Sequence, residues 1–139
     1  MKLLLDTCAI SELRKPDPSP TFFAWFQRCD ERLLYLSSIT LGELKFGIDL
    51  LPDSKRKNVL LTWYGKLCLS YEGHIAVPDF DTCEQWGRMR ARRQQAGKPL
   101  SMADGLIAAT AHSKGMVLVT RNTIDFEDLG IELLNPWEA

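Results

Sequence analysis

No stretch of this chain is long and apolar enough to read as a membrane span. The opening run Met1-Lys2-Leu3-Leu4-Leu5 stops at Asp6, too short for the core of a signal peptide. CxxC pairs are missing as well. Cys8, Cys29, Cys68 and Cys83 are widely spaced, which argues against a zinc site or a disulfide framework and for reduced thiols in a cytoplasmic protein. Neither sign of charge is in excess: 17 Lys and Arg against 18 Asp and Glu leave a net charge of −1. Any nucleic-acid partner must therefore be held by a local basic patch, not by overall charge. Repeats, low-complexity tracts and interdomain linkers are absent. With 139 residues, 45% of them hydrophobic, the expectation is one domain over residues 1–139 with one sizeable core. Histidine is scarce: His74 and His112 stand apart from the acids and read as structural or surface residues, and no Ser-His-Asp or Cys-His motif supports nucleophilic catalysis.

What is present alternates. Leu3 to Leu5 is a continuous apolar run without polar alternation, as expected of a strand buried on both faces of a parallel sheet. A short helix follows from Ile10 to Arg14, and Pro16, Pro18 and Pro20 then break the chain. Thr21 is placed to cap an aromatic helix, Phe22-Phe23-Ala24-Trp25-Phe26, whose stripe suits a core or a subunit interface. Leu33 to Ser37 reads as a second strand. Ser38 or Thr40 then opens a helix to about Leu50, with Leu41, Leu44, Ile48 and Leu51 at helical spacing. Lys55 to about Leu69 is a third long helix, its basic start a solvated face. Ile75 to Pro78 is a short strand near an edge, since proline cannot donate to a ladder. Asp81 or Thr82 begins a helix that Gly97-Lys98-Pro99 ends. Ser101 caps the next one, Gly115 closes it, and Met116–Thr120 and Ile131–Leu134 supply the last strands. The pattern predicts an α/β fold: a three-layer α/β/α sandwich with a mainly parallel central sheet and right-handed crossovers.

Within the last long helix, Asp104 is the odd residue, a carboxylate among Gly105-Leu106-Ile107-Ala108-Ala109. Ser101 and Asp104 have capping-box spacing, as do Thr40 and Glu43, so each acid has a purely structural reading. A functional reading requires convergence. Asp6, Thr7, Glu43, Asp104, Thr120, Asn122 and Asp125 all fall at strand carboxyl ends or in the first turns of following helices, where open α/β sheets place their ligands. Gathered carboxylates repel one another and resist joint ionisation. A hard divalent cation resolves that conflict. Magnesium suits it, because it accepts one or two carboxylates, keeps several waters and bridges to phosphates. Phosphodiester hydrolysis is the chemistry that follows. Arg88, Arg90, Arg92, Arg93 and Lys98 near one helix terminus either answer the helix dipole or form a phosphate-contacting stripe.

Leu4-Leu5-Asp6-Thr7-Cys8-Ala9-Ile10-Ser11-Glu12-Leu13 and Ser37-Ser38-Ile39-Thr40-Leu41-Gly42-Glu43-Leu44 carry a resemblance. Gly97-Lys98-Pro99 through Asp104-Gly105-Leu106-Ile107-Ala108-Ala109, Val119-Thr120-Arg121-Asn122-Thr123-Ile124-Asp125-Phe126 and Asn135-Pro136-Trp137 extend it. Nearly end to end and in this order, the chain resembles PIN-domain ribonucleases, most closely the VapC/FitB-type toxins of bacterial toxin–antitoxin pairs. That resemblance implies an endoribonuclease dependent on Mg2+ (or Mn2+), with catalytic acids at Asp6, Glu43 and Asp104 and with Asp6 and Asp104 as direct metal ligands. It further implies a homodimer and a small antitoxin of VapB/FitA type that blocks the active-site groove. Operator DNA would be reached only through that antitoxin. One position departs from the family pattern: its fourth acid falls at Asn122, and Asp125 is near enough in sequence to replace the missing carboxylate. Thr7 and Thr120 are expected to orient these groups, while Arg121, with Arg88 and Arg92, would contact RNA phosphates.

Two other readings compete. An aspartyl-nucleophile phosphatase also begins with a buried strand, but one ending in Asp-x-Asp, and Cys8 stands where the second acid belongs. A noncatalytic α/β module binding nucleic acid or a protein partner would keep the acids as caps alone.

Overall fold

Leu3–Leu5 forms β1, and the rest of the sheet is built outward from it. In the computed structural model, which describes residues 1–138, β1 pairs in parallel with β2 (Leu34–Ser37) on one side and β4 (Val117–Val119) on the other. β3 (Ile75–Ala76) and β5 (Leu133–Leu134) are the edges, giving the order β3-β2-β1-β4-β5. Every pairing among the described residues is parallel. The apolar runs are explained by this placement, since a central parallel strand is covered on both faces. Leu4 and Leu118 point into one core with Met89, Ile107 and Ala108, while Leu5, Leu36 and Val119 point into the other with Ile10 and Phe22.

The helices fill the two outer layers. They are α1 (Thr7–Arg14), α2 (Pro20–Arg28), α3 (Ser38–Asp49), α4 (Lys55–Ser70), α5 (Phe80–Gln95) and α6 (Met102–Lys114). α1, α2 and α4 lie over the Leu5 face, and α5 and α6 pack together over the Leu4 face. The expected sandwich is therefore observed.

The caps differ from those expected, and always in the same sense. Helices begin earlier than the first apolar-periodic residue. Asp6 itself caps α1, so that helix starts at Thr7 and not at Ile10. Ser19 replaces Thr21 as the cap of α2, Ser37 replaces Ser38 or Thr40 for α3, and Asp79 replaces Asp81 or Thr82 for α5. In each case the nearer upstream oxygen accepts an orphan amide of the first turn. Four strands are also shorter than expected: β4 lacks both Met116 and Thr120, and three others are cut at one end. Leu33 closes a 3-10 turn, Val77-Pro78 lies beyond β3, and β5 begins only at Leu133. Ser101 caps α6 as expected, and Gly115, at φ +63°, ends it.

Gly105 has a reason for lacking a side chain. A Cβ there would stand 2.8 Å and 2.9 Å from Cδ1 and Nε1 of the Trp86 indole, which α5 lays against the first turn of α6. Gly105→Ala gains about 1 kcal/mol of helix propensity but overpacks this contact at a cost of roughly 1–3 kcal/mol. A net loss of stability is expected in urea unfolding. A more stable variant would show that the indole moves aside freely.

Candidate active site

The strand order reverses direction at β1. The chain proceeds from β1 to β2 on one side and returns to β4 on the other, so a crevice opens between the carboxyl ends of β1 and β4. Asp6 stands there, its amide donating to the Val119 carbonyl (3.0 Å). Its carboxylate is 5% exposed. Oδ1 accepts the Thr7 amide at 2.7 Å, which is the capping bond of α1. Oδ2 accepts the buried Thr120 hydroxyl at 2.9 Å from the end of β4, with the Cys8 thiol at 3.6 Å. The capping reading and the functional reading thus coexist at Asp6, one on each oxygen.

Glu43 reaches the same end by a different route. α3 starts where β2 stops, so its first turns sit at the carboxyl edge. The expected Thr40–Glu43 capping box does not form, because Ser37 is the cap and Thr40 is wholly buried inside the helix. The Glu43 side chain instead turns to α1: Thr7 donates its hydroxyl to Glu43 Oε1 at 2.8 Å, with Thr40 Oγ1 at 3.3 Å from the same group. Thr7 therefore does orient an acid of the site.

α6 runs antiparallel to β4, which brings its N-terminus, and Asp104, to the carboxyl end. Ser101 Oγ accepts the Asp104 amide (3.1 Å), so half of the expected box is present. The Asp104 carboxyl group is half-buried, and its pKa is raised above the ordinary aspartate value. Burial is the largest cause, followed by the charge of Asp6, with Glu43 and Asp125 adding to it and the Ser101 hydroxyl opposing. Asp104 thus feels three other acids, each from a different part of the sequence. Asp125 lies in the exposed 3-10 turn Thr123–Phe126. Asn122 opens that turn, its amide donating to Thr120 Oγ1 at 3.1 Å and its exposed side chain making no capping bond.

Cys8 belongs to this site although its sequence gave it no role there. Its sulfur accepts the Arg121 amide (3.4 Å) and lies 3.7 Å from Thr120 Oγ1. Burial, then the Asp6 charge, push the thiol pKa up, so it is held as an inert neutral group. The signal was its position two residues after Asp6, on the first turn of a helix. Arg121 is exposed beside the site, its guanidinium 5.7 Å from the Trp137 ring centroid. Asn135 donates to the Arg121 carbonyl at 3.4 Å. Arg88 and Arg92 are exposed along α5, with Arg88 held by Gln85. Arg93 is not part of any exposed stripe; it is buried and bonded internally. His74 is at the opposite end of the sheet, bonded to the Leu34 carbonyl and stacked on Tyr35.

Among the described residues, no group of three Cys, His, Asp or Glu side chains is set closely enough to hold a metal ion unaided. The donor chemistry is nonetheless that of a hard cation: oxygen ligands only, mutually repelling, with Asp104 resisting ionisation. An open set of one or two carboxylates fits magnesium, which retains waters in its shell.

Comparison with known proteins places the chain in a family. Residues 3–132 match the PIN-domain family. A VapC ribonuclease, Y4jK of Sinorhizobium fredii, is 36% identical over 137 residues, covering 98% of each chain. Toxin FitB of Neisseria gonorrhoeae is 35% identical over 136 residues, covering 97% of this chain and 98% of its own. Among solved structures, FitAcB from Neisseria gonorrhoeae superposes with a TM-score of 0.91 at 34% identity, covering 99% of both chains. FitAB bound to an IR36 DNA fragment gives 0.89 at 35%, covering 97% of this chain and 95% of that one. The fold and its acidic crevice define an α/β protein with an acid-lined site at the topological switch point. The chain belongs to the PIN-domain family.

The raised Asp104 pKa fixes a pH dependence. Because the folded state binds this proton more tightly than the unfolded state, the contribution of Asp104 to stability without divalent ions is greatest at low pH. It falls as pH rises from the ordinary aspartate value through the raised one, and stays lowered above it. Asp104→Asn keeps the Ser101–amide cap and removes the charge. Urea unfolding in EDTA across this window should show the stability of the parent protein declining relative to that of the variant as pH rises. Equal slopes would remove the repulsion argument.

Proposed function

We propose that this protein is the toxin of a type II toxin–antitoxin pair, an endoribonuclease that hydrolyses RNA phosphodiester bonds with a divalent cation. The observation that carries the reading is the meeting of Asp6, Glu43 and Asp104 at the carboxyl end of β1 and β4, with Asp104 resisting its own charge. Similarity to a VapC ribonuclease and to toxin FitB supports it.

Asp6 and Asp104 would hold Mg2+, or Mn2+ in its place. When bound, such an ion supplies Lewis acidity and charge neutralisation toward a phosphodiester. The remaining work falls to the chain. Thr120 fixes the rotamer of Asp6 through Oδ2, leaving that carboxylate no freedom to swing. Thr7 aims Glu43, which is exposed and able to accept a proton from an attacking water. Asn122 and Asp125 line the same rim, with Asp125 standing in for the carboxylate that Asn122 lacks. Arg121, Arg88 and Arg92 would bind RNA phosphates beside the cut.

The partners follow from the same reading. A cognate antitoxin of VapB/FitA type would cover the active-site groove, and operator DNA would be reached through that antitoxin. The toxin itself would form a homodimer. No helix among the described residues is long and apolar enough to cross a membrane.

Purified, antitoxin-free protein is expected to cut total cellular RNA into discrete fragments with Mg2+ or Mn2+, and not in EDTA. Asp104→Asn should lower the rate by two orders of magnitude or more while remaining folded. A folded protein that cuts no RNA under either metal would overturn the nuclease and leave a binding module.

The phosphate contacts have their own test. Replacing Arg88 and Arg92 together by Gln should weaken RNA binding. It should also flatten the slope of log affinity against log salt by about 1.4, two contacts at about 0.7 each for a single strand. An unchanged slope would place the RNA elsewhere.

A further inference from the structure

Arg93 is the one arginine of α5 that solvent scarcely reaches, at 9% exposure, and it is far from idle. Its Nε donates to the Lys98 carbonyl at 2.8 Å. Its Nη1 donates to the Asp125 carbonyl at 3.0 Å and to Asp128 Oδ1 at 2.9 Å. A buried guanidinium is tolerated only when its N–H groups are met in this way. The identity of the partners matters more than their number. Lys98 lies in the connection that feeds the Ser101 cap and Asp104. Asp125 lies in the turn that follows β4, where its amide donates back to the Asn122 carbonyl at 3.1 Å.

Followed atom by atom, the bonds link two acids of the site through the protein. Asp6 accepts from Thr120, whose hydroxyl oxygen accepts the Asn122 amide. The Asn122 carbonyl accepts the Asp125 amide, and the Asp125 carbonyl accepts from Arg93. Arg93 then grips Lys98, three residues before the cap that receives the Asp104 amide. No other side chain in the hydrogen bonds described above joins the connection before α6 to the turn after β4. These are the two segments that carry Asp104 and Asp125, and their carboxylates repel.

We propose that Arg93 is a positioning residue: by clamping the Lys98 connection to the Asp125 turn it sets the spacing between Asp104 and the Asp6–Thr120–Asn122 side of the site. It acts through main-chain carbonyls and touches neither substrate nor cation. Largely buried and bonded through Nε and Nη1, it takes no part in RNA phosphate binding, unlike its exposed neighbours Arg88 and Arg92. The inference rests on the divalent-ion-dependent nuclease reading given above.

The test compares the parent protein with Arg93→Met, which removes the fork, and Arg93→Lys, which restores one cation and at most part of the bonding. Leu60→Ala, at the buried position of α4 and remote from the clamp, serves as a control for loss of stability alone. Readouts are Mn2+ affinity by titration calorimetry, together with kcat and KM for an RNA substrate, all well below the melting temperature. Arg93→Met is expected to weaken Mn2+ binding and lower kcat by about tenfold or more, with KM for RNA within twofold. Arg93→Lys should recover part of both losses, while Leu60→Ala leaves both intact.

Should Arg93→Met bind Mn2+ and turn over like the parent, or should Leu60→Ala lose as much, the residue is structural only and the proposal fails. A rise in KM with kcat unchanged would make Arg93 an RNA contact and overturn it equally. If Arg93→Met does not fold, the decision passes to Arg93→Lys, for which unaltered Mn2+ affinity and kcat count against the proposal. A parent protein that neither binds Mn2+ nor cuts RNA defeats the nuclease reading first, visible in the unmutated arm, and the positioning role falls with it.

Discussion

A buried carboxylate that bonds nothing would take up a proton or unfold the structure around it. Asp6 is not left in that state, because its two oxygens bond separately: one caps α1 and the other accepts Thr120 from the neighbouring strand. That double attachment ties the first helix to the fourth strand at the sheet's switch point, and the rest of the site is arranged around it. Thr7, whose amide caps on Asp6, uses its hydroxyl to aim Glu43. Thr120, which donates to Asp6, receives Asn122. Side chains that a sequence reader would list as caps are here the framework of a charge cluster.

A second buried carboxylate shows what full satisfaction looks like. Glu12 on α1 is nearly sealed from solvent. Burial alone would raise its pKa, yet the Ser19 amide, Lys15 and the Trp137 indole together bring it below the ordinary glutamate value. Its bonds bring the loop before α2 and the C-terminal turn together, and Trp137 then stacks on Phe22 with ring centroids 4.6 Å apart. Asp104 is the opposite case. Its neighbours are other acids, and its pKa rises. One fold thus contains a carboxylate whose partners favour its charge and another whose neighbours oppose it.

Much of this was legible in the sequence, for reasons that differ by element. Leu3–Leu5 and Val117–Val119 declared themselves because strands buried on both faces admit no polar residue. Asp6 and Asp104 stood out because each interrupts an apolar run, and Glu43 because it falls in the first turns after a strand. The charges that raise the Asp104 pKa and the bond from Thr7 to Glu43 show that the fold brings them to one end of the sheet. The caps were less legible. Ser37 and Ser38 offer the same hydroxyl one residue apart, and only backbone dihedrals decide between them. Cys8 was less legible still: its position two residues after Asp6 is the one signal, and a half-buried thiol has otherwise the same sequence signature in a core as beside a site.

Arg93 shows most sharply where periodicity ends. Arg88, Arg90, Arg92 and Arg93 are indistinguishable as letters, and as a group they suggest a dipole-matched terminus or a phosphate stripe. A helix turns about 100° per residue, so adjacent arginines cannot share a face. Arg92 looks outward, and Arg93 therefore looks toward the turn after β4. There it meets two carbonyls and a carboxylate that come from segments five and more than thirty residues away. The sequence separation is what hides the clamp: its partners are mostly backbone oxygens, which leave no trace in residue identity. A cluster of like charges needs more than the residues that carry the charge; it needs cross-links between the segments that bear them. Such links are invisible in sequence and plain in coordinates.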